Sequence, residues 1–523
     1  MTSTRSVPRP PTFLTGPLPI AALGLAAAAL FALPNRAIAA QPTPPAAAPP
    51  PSPTATRPTQ PAQPAQPAQP AQPAQSAPAA QPLTTGSPSA QAPPVVATEG
   101  DGSGLRRLEG AHAETRAMVE AVADSLTTLR ESTAIPETEE LRGAHGFGPA
   151  ASKVYRRDEG LSLGGYGEMF LGHRLGGKSD RKPHRADLYR AILYVGHRFS
   201  DKILVNTEIE FEHGTTGSNP VNGETGSVSV EFAYLDFLLH DAINIRSGLM
   251  LMPMGITNEM HEPTVYRGNM RPETERRIIP STWRELGLGA FGQLPGGVSY
   301  NLYGVSGLAV DGFGEKGIRG GRQKGNHVAF EDKAAVAALG WAWRDHIALG
   351  TSFYYGGADH DPAREAPQVT LWISEAHAIL RFRGAELRGL VATSHIEGAA
   401  RLDDRTPAQQ VEGASEFIAD PSRVVPTDQF GGYGEASYNV FSAVGSIRQQ
   451  LTPFIRAEAL NLNLGMIEGQ VAKAELNTLE VTAGLEYKPH PQVVIKAEYG
   501  RRSDAANGSD AIEELRVGTG FVF

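Results

Sequence analysis

From about Leu161 to Phe523 the sequence alternates with a period of two, the spacing of a strand with unlike faces. Ile203, Val205, Thr207, Ile209 and Phe211 alternate with Leu204, Asn206, Glu208, Glu210 and Glu212, so one face is apolar and the other acidic. Val228, Val230, Phe232 and Tyr234 alternate with Ser227, Ser229, Glu231 and Ala233. The last segment sets Leu515, Val517, Thr519, Phe521 and Phe523 against Glu514, Arg516, Gly518 and Gly520. About 16 such segments are joined by short turns and long polar loops in alternation, as in outer-membrane barrels with short periplasmic turns and long external loops. A soluble sandwich would need a second sheet to cover each apolar face, and its strands would be shorter. No run of about 18 apolar residues occurs, which excludes a helical membrane bundle and leaves a barrel open. The expected fold is therefore all-β, a transmembrane antiparallel β-barrel of about 16 strands over residues 155–523.

The chain ahead of it reads as three segments. Arg5 and Arg9, the apolar run Ile20–Leu33 and the small residues Ala37-Ile38-Ala39 fit a signal peptide over residues 1–39. Residues 40–103 are a low-complexity Pro/Ala/Gln linker, with almost no charge and little to bury, expected to stay disordered and extended. Residues 104–142 hold a short helix over 104–132. Leu105, Leu108, Thr115, Met118, Val122, Leu126 and Leu129 form its narrow apolar stripe, which fits a short coiled coil or packing on the body. The chain has no cysteine, which removes disulfides and thiolate chemistry. Setting aside the first 100 residues, 43 basic and 55 acidic side chains remain, a balance that argues against nucleic acid as a partner.

In a pore the chemistry is electrostatic, set by charged rings and by loops that fold inward. A charge facing lipid at midplane costs about 2–4 kcal/mol, so charged strand positions should face the lumen. That assigns Arg190, Glu208, Glu210, Glu212 and Arg246 to the interior, and likewise Arg456, Glu458 and Lys496, with Glu231 and Glu498. Glu212 lies one hairpin from Arg246, the spacing of an interior pair that would stiffen the wall. The loop Ile256–Thr282 is the constriction candidate, because loops beyond about 12–15 residues are usually functional. It carries Arg267, Arg271, Arg276 and Arg277 beside Glu259 and Glu262, with Glu273 and Glu275, and three prolines stiffen it. Folded inward, its guanidiniums could hold phosphate or carboxylate; left outside, it would be a solvated loop or a trimer contact. Glu259, His261 and Glu262 match no strong metal spacing, Met250, Met252 and Met254 are better read as packing than as soft-metal ligands, and no metal or other cofactor is expected. No serine stands in a recognisable nucleophile turn, so no enzyme activity is expected.

Three stretches carry a family resemblance. They are Gly164-Gly165-Tyr166-Gly167-Glu168, then Asp187–Phe199 with Thr207–His213, then Gly248–Glu285. Gly484–Pro489 and Val494–Tyr499 agree with them. Over residues 160–523 the chain resembles the phosphate-selective porin O and P family of Gram-negative outer membranes. The resemblance implies a 16-stranded barrel, a homotrimer in outer-membrane lipid, and passive diffusion of small anions. That family's lumenal arginine ladder cannot be placed on this sequence residue by residue, and the glutamate row at 208, 210 and 212 argues against strict phosphate selectivity. The expected function is an outer-membrane porin passing small hydrophilic solutes or ions. The alternative is a structural barrel that tethers the outer membrane to the cell wall, with peptidoglycan contact through the linker and helix.

Overall fold

The computed structural model describes residues 103–132, 143–176, 184–362, 367–399, 424–444, 447–506 and 511–523. The expected signal peptide and the expected linker up to residue 102 lie outside the described residues, as do residues 133–142. The chain divides into two units, Met1–Glu131 and Ser132–Phe523.

In the first unit the described structure is a helix, α1 (Ser103–Ser132). Met118 and Val122 of the expected stripe, and Val119 beside them, are exposed.

The second unit is a closed barrel of sixteen antiparallel strands, each paired with its neighbours in the sequence. The strands are β1 (Gly160–Gly176), β2 (Arg185–Arg198), β3 (Ile203–Glu212), β4 (Ser227–His240), β5 (Ile243–Leu251), β6 (Arg284–Leu294), β7 (Val298–Ser306) and β8 (Lys333–Trp343). They continue with β9 (Ile347–Gly357), β10 (Thr370–Phe382), β11 (Ala385–Glu397), β12 (Pro426–Tyr438), β13 (Gln450–Met466), β14 (Asn477–His490), β15 (Val493–Asp504) and β16 (Ile512–Val522). β1 pairs with β16 from Tyr166↔Val522 to Gly176↔Glu513, which closes the sheet and leaves no edge to satisfy in lipid. Phe523 completes the seam, its carbonyl accepting the Gly165 amide at 3.0 Å and its amide donating to the Gly165 carbonyl at 2.9 Å.

The outer face explains why this sheet seeks lipid. Leu161, Leu163, Leu171, Leu302, Leu339 and Val517 stand outward and exposed. At the short-turn end Phe199, Trp341, Trp343, Phe382, Tyr438 and Phe523 are exposed, the aromatic girdle of a membrane interface. A closed sheet with an apolar outside and charged inside is stable only across a bilayer, and its architecture places the protein in the outer membrane.

Strand β4 departs from simple alternation. Ile209 pairs with Val230 while Glu208 pairs with Phe232, so Glu231 is the extra residue of a β-bulge. Val228 and Val230 face out, whereas Phe232 and Tyr234 are buried inside together with Glu231. The expected common face of Val228, Val230, Phe232 and Tyr234 is thus broken in the middle. A second bulge, at Tyr189 of β2, flanks β3 on its other side.

Candidate functional site: the inward loop and the barrel interior

Residues 252–283, between β5 and β6, fold into the barrel. Asn258 pinches the two ends of the loop together. Its Oδ1 accepts the Trp283 amide at 2.7 Å, and its Nδ2 donates to the carbonyls of Met252 (2.6 Å) and Trp283 (3.1 Å). Glu275 organises the middle, accepting the amides of Ile256 and Thr257 at 2.9 and 2.6 Å and the Tyr433 hydroxyl at 2.7 Å. A five-residue helix, α2 (Glu273–Arg277), forms at the far side. Its first amides have no partner within the helix, and a wall carboxylate supplies one. Glu458 of β13 accepts the amides of Glu273 and Thr274 at 2.9 and 2.5 Å.

The wall holds the rest of the loop by its backbone. Lys496 donates to the carbonyls of Tyr266 (3.0 Å) and Gly268 (2.7 Å), with its ammonium 4.0 Å from the Tyr266 ring centroid. Glu498 accepts the Asn269 amide at 2.9 Å, and a Cβ at Gly268, where φ is +77°, would lie 2.3 Å from that carboxylate. Arg456 donates to the carbonyls of Arg267 and Met270. From the loop outward, Arg267 pairs with Glu486 at 2.7 Å, and Tyr266 donates to Glu168.

The interior charges expected from the sequence therefore meet the loop or each other. Arg190 joins Glu168 (2.7 Å) and Glu210 (3.0 Å), with Glu212 4.0 Å away. Glu208 lies 3.2 Å from His261 of the loop. Arg246 does not pair with Glu212. Glu212 ends β3 at the long-loop end, whereas Arg246 sits near the short-turn end of β5 and grips Asp236 with two bonds of 2.8 and 2.9 Å. One hairpin of separation places two residues on neighbouring strands without fixing their height.

A second segment, residues 143–157, also packs inside, against β1 to β5. Phe147 is buried beside Tyr234 and Phe232, with the Arg246 guanidinium 4.9 Å from its ring centroid. Tyr155 donates to Asp236 at 2.6 Å. Glu262 accepts the Ala150 and Ala151 amides at 2.9 and 3.0 Å, tying this segment to the inward loop; burial pushes its carboxyl up to about 7 despite those two donors. Glu259 lies against Gly146, where a Cβ would come within 2.6 Å of its carboxylate.

The four loop arginines separate into two groups. Arg267 and Arg271 are held inward, Arg271 being almost fully buried. Arg276 and Arg277 clasp Glu273 and keep their side chains 28% exposed. Burial works against the Glu273 carboxylate, but the two guanidiniums hold it at about 2. Two further arginines, Arg319 and Arg322 from the loop between β7 and β8, join that group. Arg319 donates to the carbonyls of Arg276 and Ser281, and Arg322 to those of Pro280 (3.0 Å) and Thr282 (2.9 Å). Burial and the surrounding guanidiniums push both below the usual arginine range. Nothing in the spacing of residues 307–332 singled these two out; only a count of arginines in long loops would have found them.

Beneath the loop, on the side of β6 to β10, the wall carries small side chains. Register steps from Ser299 to Gly340 and Gly350, and from Asn301 to Ala338 and Ser352. Ser299, Asn301, Ala338, Gly340 and Gly350 border a cavity of about 250 Å³ whose other side is the loop from Pro253 to Met260, and Glu375 and His377 of β10 also line it. Toward the long-loop end, Trp283, Leu308, Phe313, Ile318 and Tyr354 are buried together as an apolar cluster.

No family model matches the chain. A protein of Aquifex aeolicus (strain VF5), described as uncharacterized, is 29% identical over 376 residues, which cover 71% of this chain and 82% of that one. The outer membrane channel DcaP of Acinetobacter baumannii is similar at a TM-score of 0.43 and 11% identity, over 69% of this chain and 97% of that chain. An anion-selective porin from Comamonas acidovorans gives a TM-score of 0.43 at 10% identity, over 70% and 100%. Salmonella typhi OmpF, in complex with daunomycin, gives 0.43 at 12%, over 70% and 98%. The fold assignment rests on this chain's own closed sheet and apolar outer face. The protein is a sixteen-stranded outer-membrane β-barrel.

Proposed function

We propose that this barrel is a porin, a passive channel for small hydrophilic solutes, with an outer mouth that favours anions such as phosphate. The observation that carries the reading is the guanidinium group above the inward loop. Arg276 and Arg277 share one carboxylate, Glu273, while Arg319 and Arg322 are bonded to backbone carbonyls and keep their charge uncompensated by them. Planar guanidiniums at a constriction attract oxyanions and repel cations. The interior carboxylates weigh less against this than their number suggests. Glu168, Glu210, Glu458, Glu486 and Glu498 are all bonded to cationic side chains or backbone amides. On this reading the loop is the selectivity step, its arginines Arg267 and Arg271 fix its position, and a homotrimer in outer-membrane lipid is the working assembly.

The test is single-channel conductance of the full chain in a planar bilayer, with reversal potential under a KCl gradient. Discrete steps with chloride preference are expected, and Arg319→Ala with Arg322→Ala should move the reversal potential toward that of an unselective pore. Potassium preference would refute the anion mouth and point to Glu259 and Glu375 beside the cavity.

A second reading is a structural barrel tethering the membrane to the wall through the linker and α1. It is favoured by the buried apolar cluster of Trp283, Leu308, Phe313 and Tyr354 toward the long-loop end, and by the exposed Met118, Val119 and Val122 of α1. The absence of any conductance step from a folded, heat-modifiable barrel would favour it over the porin.

A further inference from the structure

Where the inward loop meets β3 and β4, three potential ligands converge. His261 Nε2 lies 3.2 Å from Glu208 Oε1 and 3.8 Å from Glu231 Oε2. All three residues are buried, none more than 2% exposed. The ligand atoms lie within 4.8 Å of one another. In a tetrahedral zinc site with bonds of about 2.0–2.2 Å, neighbouring donor atoms stand about 3.3–3.5 Å apart, between the two separations seen here.

Two features besides proximity point to a cation. First, His261 Nδ1 lies 2.8 Å from the Asn258 carbonyl oxygen. A carbonyl can only accept, so Nδ1 carries a proton, and Nε2 is the nitrogen turned toward the two carboxylates. A backbone carbonyl orienting the far nitrogen is the usual support of a metal-bound histidine. Second, Glu231 Oε2 and Glu208 Oε2 are buried oxygens with no hydrogen-bond donor. Leaving such atoms bare is costly, and a bound cation would satisfy them. Glu231 is fixed in place through its other oxygen, which accepts from Arg284 at 2.8 Å and from Thr282 at 2.6 Å, so Oε2 is held toward the imidazole.

We propose that Glu208, Glu231 and His261 form a site for a divalent transition-metal cation, with zinc as the best match to two carboxylates and one imidazole. It joins the inward loop to the barrel wall, because His261 belongs to the loop and the glutamates to β3 and β4. Glu231 alternates inward from the outward Val228 and Val230, and the bulge there turns Phe232 inward beside it, so the carboxylate is enclosed next to Glu208. The opposing arrangement is a protonated His261 bridging the two carboxylates, with Arg284, Arg190 and Arg271 supplying the remaining positive charge. The proposal holds whether or not the barrel conducts.

The experiment uses the full chain, folded in detergent without chelator and checked by heat-modifiable mobility. Zinc is added, the protein is dialysed exhaustively, and metal is measured by mass spectrometry. About one equivalent of zinc per chain is expected to remain. Glu208→Gln and His261→Asn should each weaken retention by about tenfold or more, whereas His213→Asn, at the exposed His213–Asp187 pair, should leave it unchanged. A folded native chain that keeps no zinc, or folded variants that keep it as well as the native chain, would overturn the proposal and leave the protonated bridge. Should the variants fail to fold, cobalt on the native chain decides. Intense visible bands of low-coordinate cobalt at one equivalent support the site, and their absence overturns it.

Discussion

Replacing Lys496 by methionine should loosen the inward loop while leaving the barrel closed. Lys496 is buried on β15 and its ammonium spans two loop carbonyls, those of Tyr266 at 3.0 Å and Gly268 at 2.7 Å. Methionine keeps most of the length of the side chain but donates nothing. A hydrogen bond from a charged group contributes about 1.5–3 kcal/mol, and two carbonyls left without their donor add a desolvation cost. Water in the lumen recovers part of that, so about 3 kcal/mol is a fair estimate for the docked loop. At 1.36 kcal/mol per tenfold, the ratio of displaced to docked loop rises by about 150-fold. The ladder between β15 and its neighbours does not involve this side chain, so the global denaturation midpoint should move little. Amide hydrogen exchange reads the difference directly, since local openings are exchange-competent. Peptides covering residues 264–270 should lose about two orders of magnitude of protection, while peptides from β13 to β16 keep theirs. The Asn269 amide, bonded to Glu498 beside Lys496, is the most informative position. Unchanged exchange across that loop, in a barrel that remains heat-modifiable, would refute the claim that wall side chains hold the loop.

Two further outcomes follow from the same geometry. Asp236→Ala leaves the Arg246 guanidinium buried without its carboxylate, which costs about 3–5 kcal/mol, and should lower the guanidinium denaturation midpoint and release residues 143–157 to protease. Glu273, held at about 2 by Arg276 and Arg277, has a depressed folded-state pKa, so its contribution to loop docking is complete above the unfolded carboxyl value and is lost only as pH falls through about 2. Loop exchange in Glu273→Gln should therefore exceed the wild-type rate by a constant factor from pH 7 to about pH 5, the gap should narrow at lower pH, and the two should converge only below about pH 2; convergence near pH 5 would refute the pairing.

Much of the barrel is legible in residue order because a strand in lipid is a one-dimensional pattern. Outward positions must be apolar, inward ones are free to carry charge, and the period is fixed at two. Hence the inward placement of Arg190, Glu208, Glu210, Arg456, Glu458 and Lys496 follows from alternation alone, and the structure buries each of them. Alternation fails where backbone geometry departs from it. The bulge at Glu231 is one extra residue, and it reverses the facing of everything beyond it on β4, including Phe232 and Tyr234. No residue type at that position announces the bulge. The pairing of Glu212 with Arg246 fails for a related reason, because adjacency in hairpin order says nothing about depth in the membrane. Arg319 and Arg322 were missed because their partners are backbone carbonyls of another loop.

Residue order alone dictates a closed sheet of about sixteen strands, its lipid-facing side and the presence of one long arginine-bearing loop. All of these follow from short-range periodicity and from the cost of exposing charge or unpaired backbone to hydrocarbon. The folded chain adds that the loop is held across the interior, that residues 143–157 pack beside it, and that His261 meets Glu208 and Glu231, from strands β3 and β4. Those contacts join segments distant in the chain, and each depends on a side chain reaching one particular atom after the barrel has closed. Composition and spacing carry no record of that convergence.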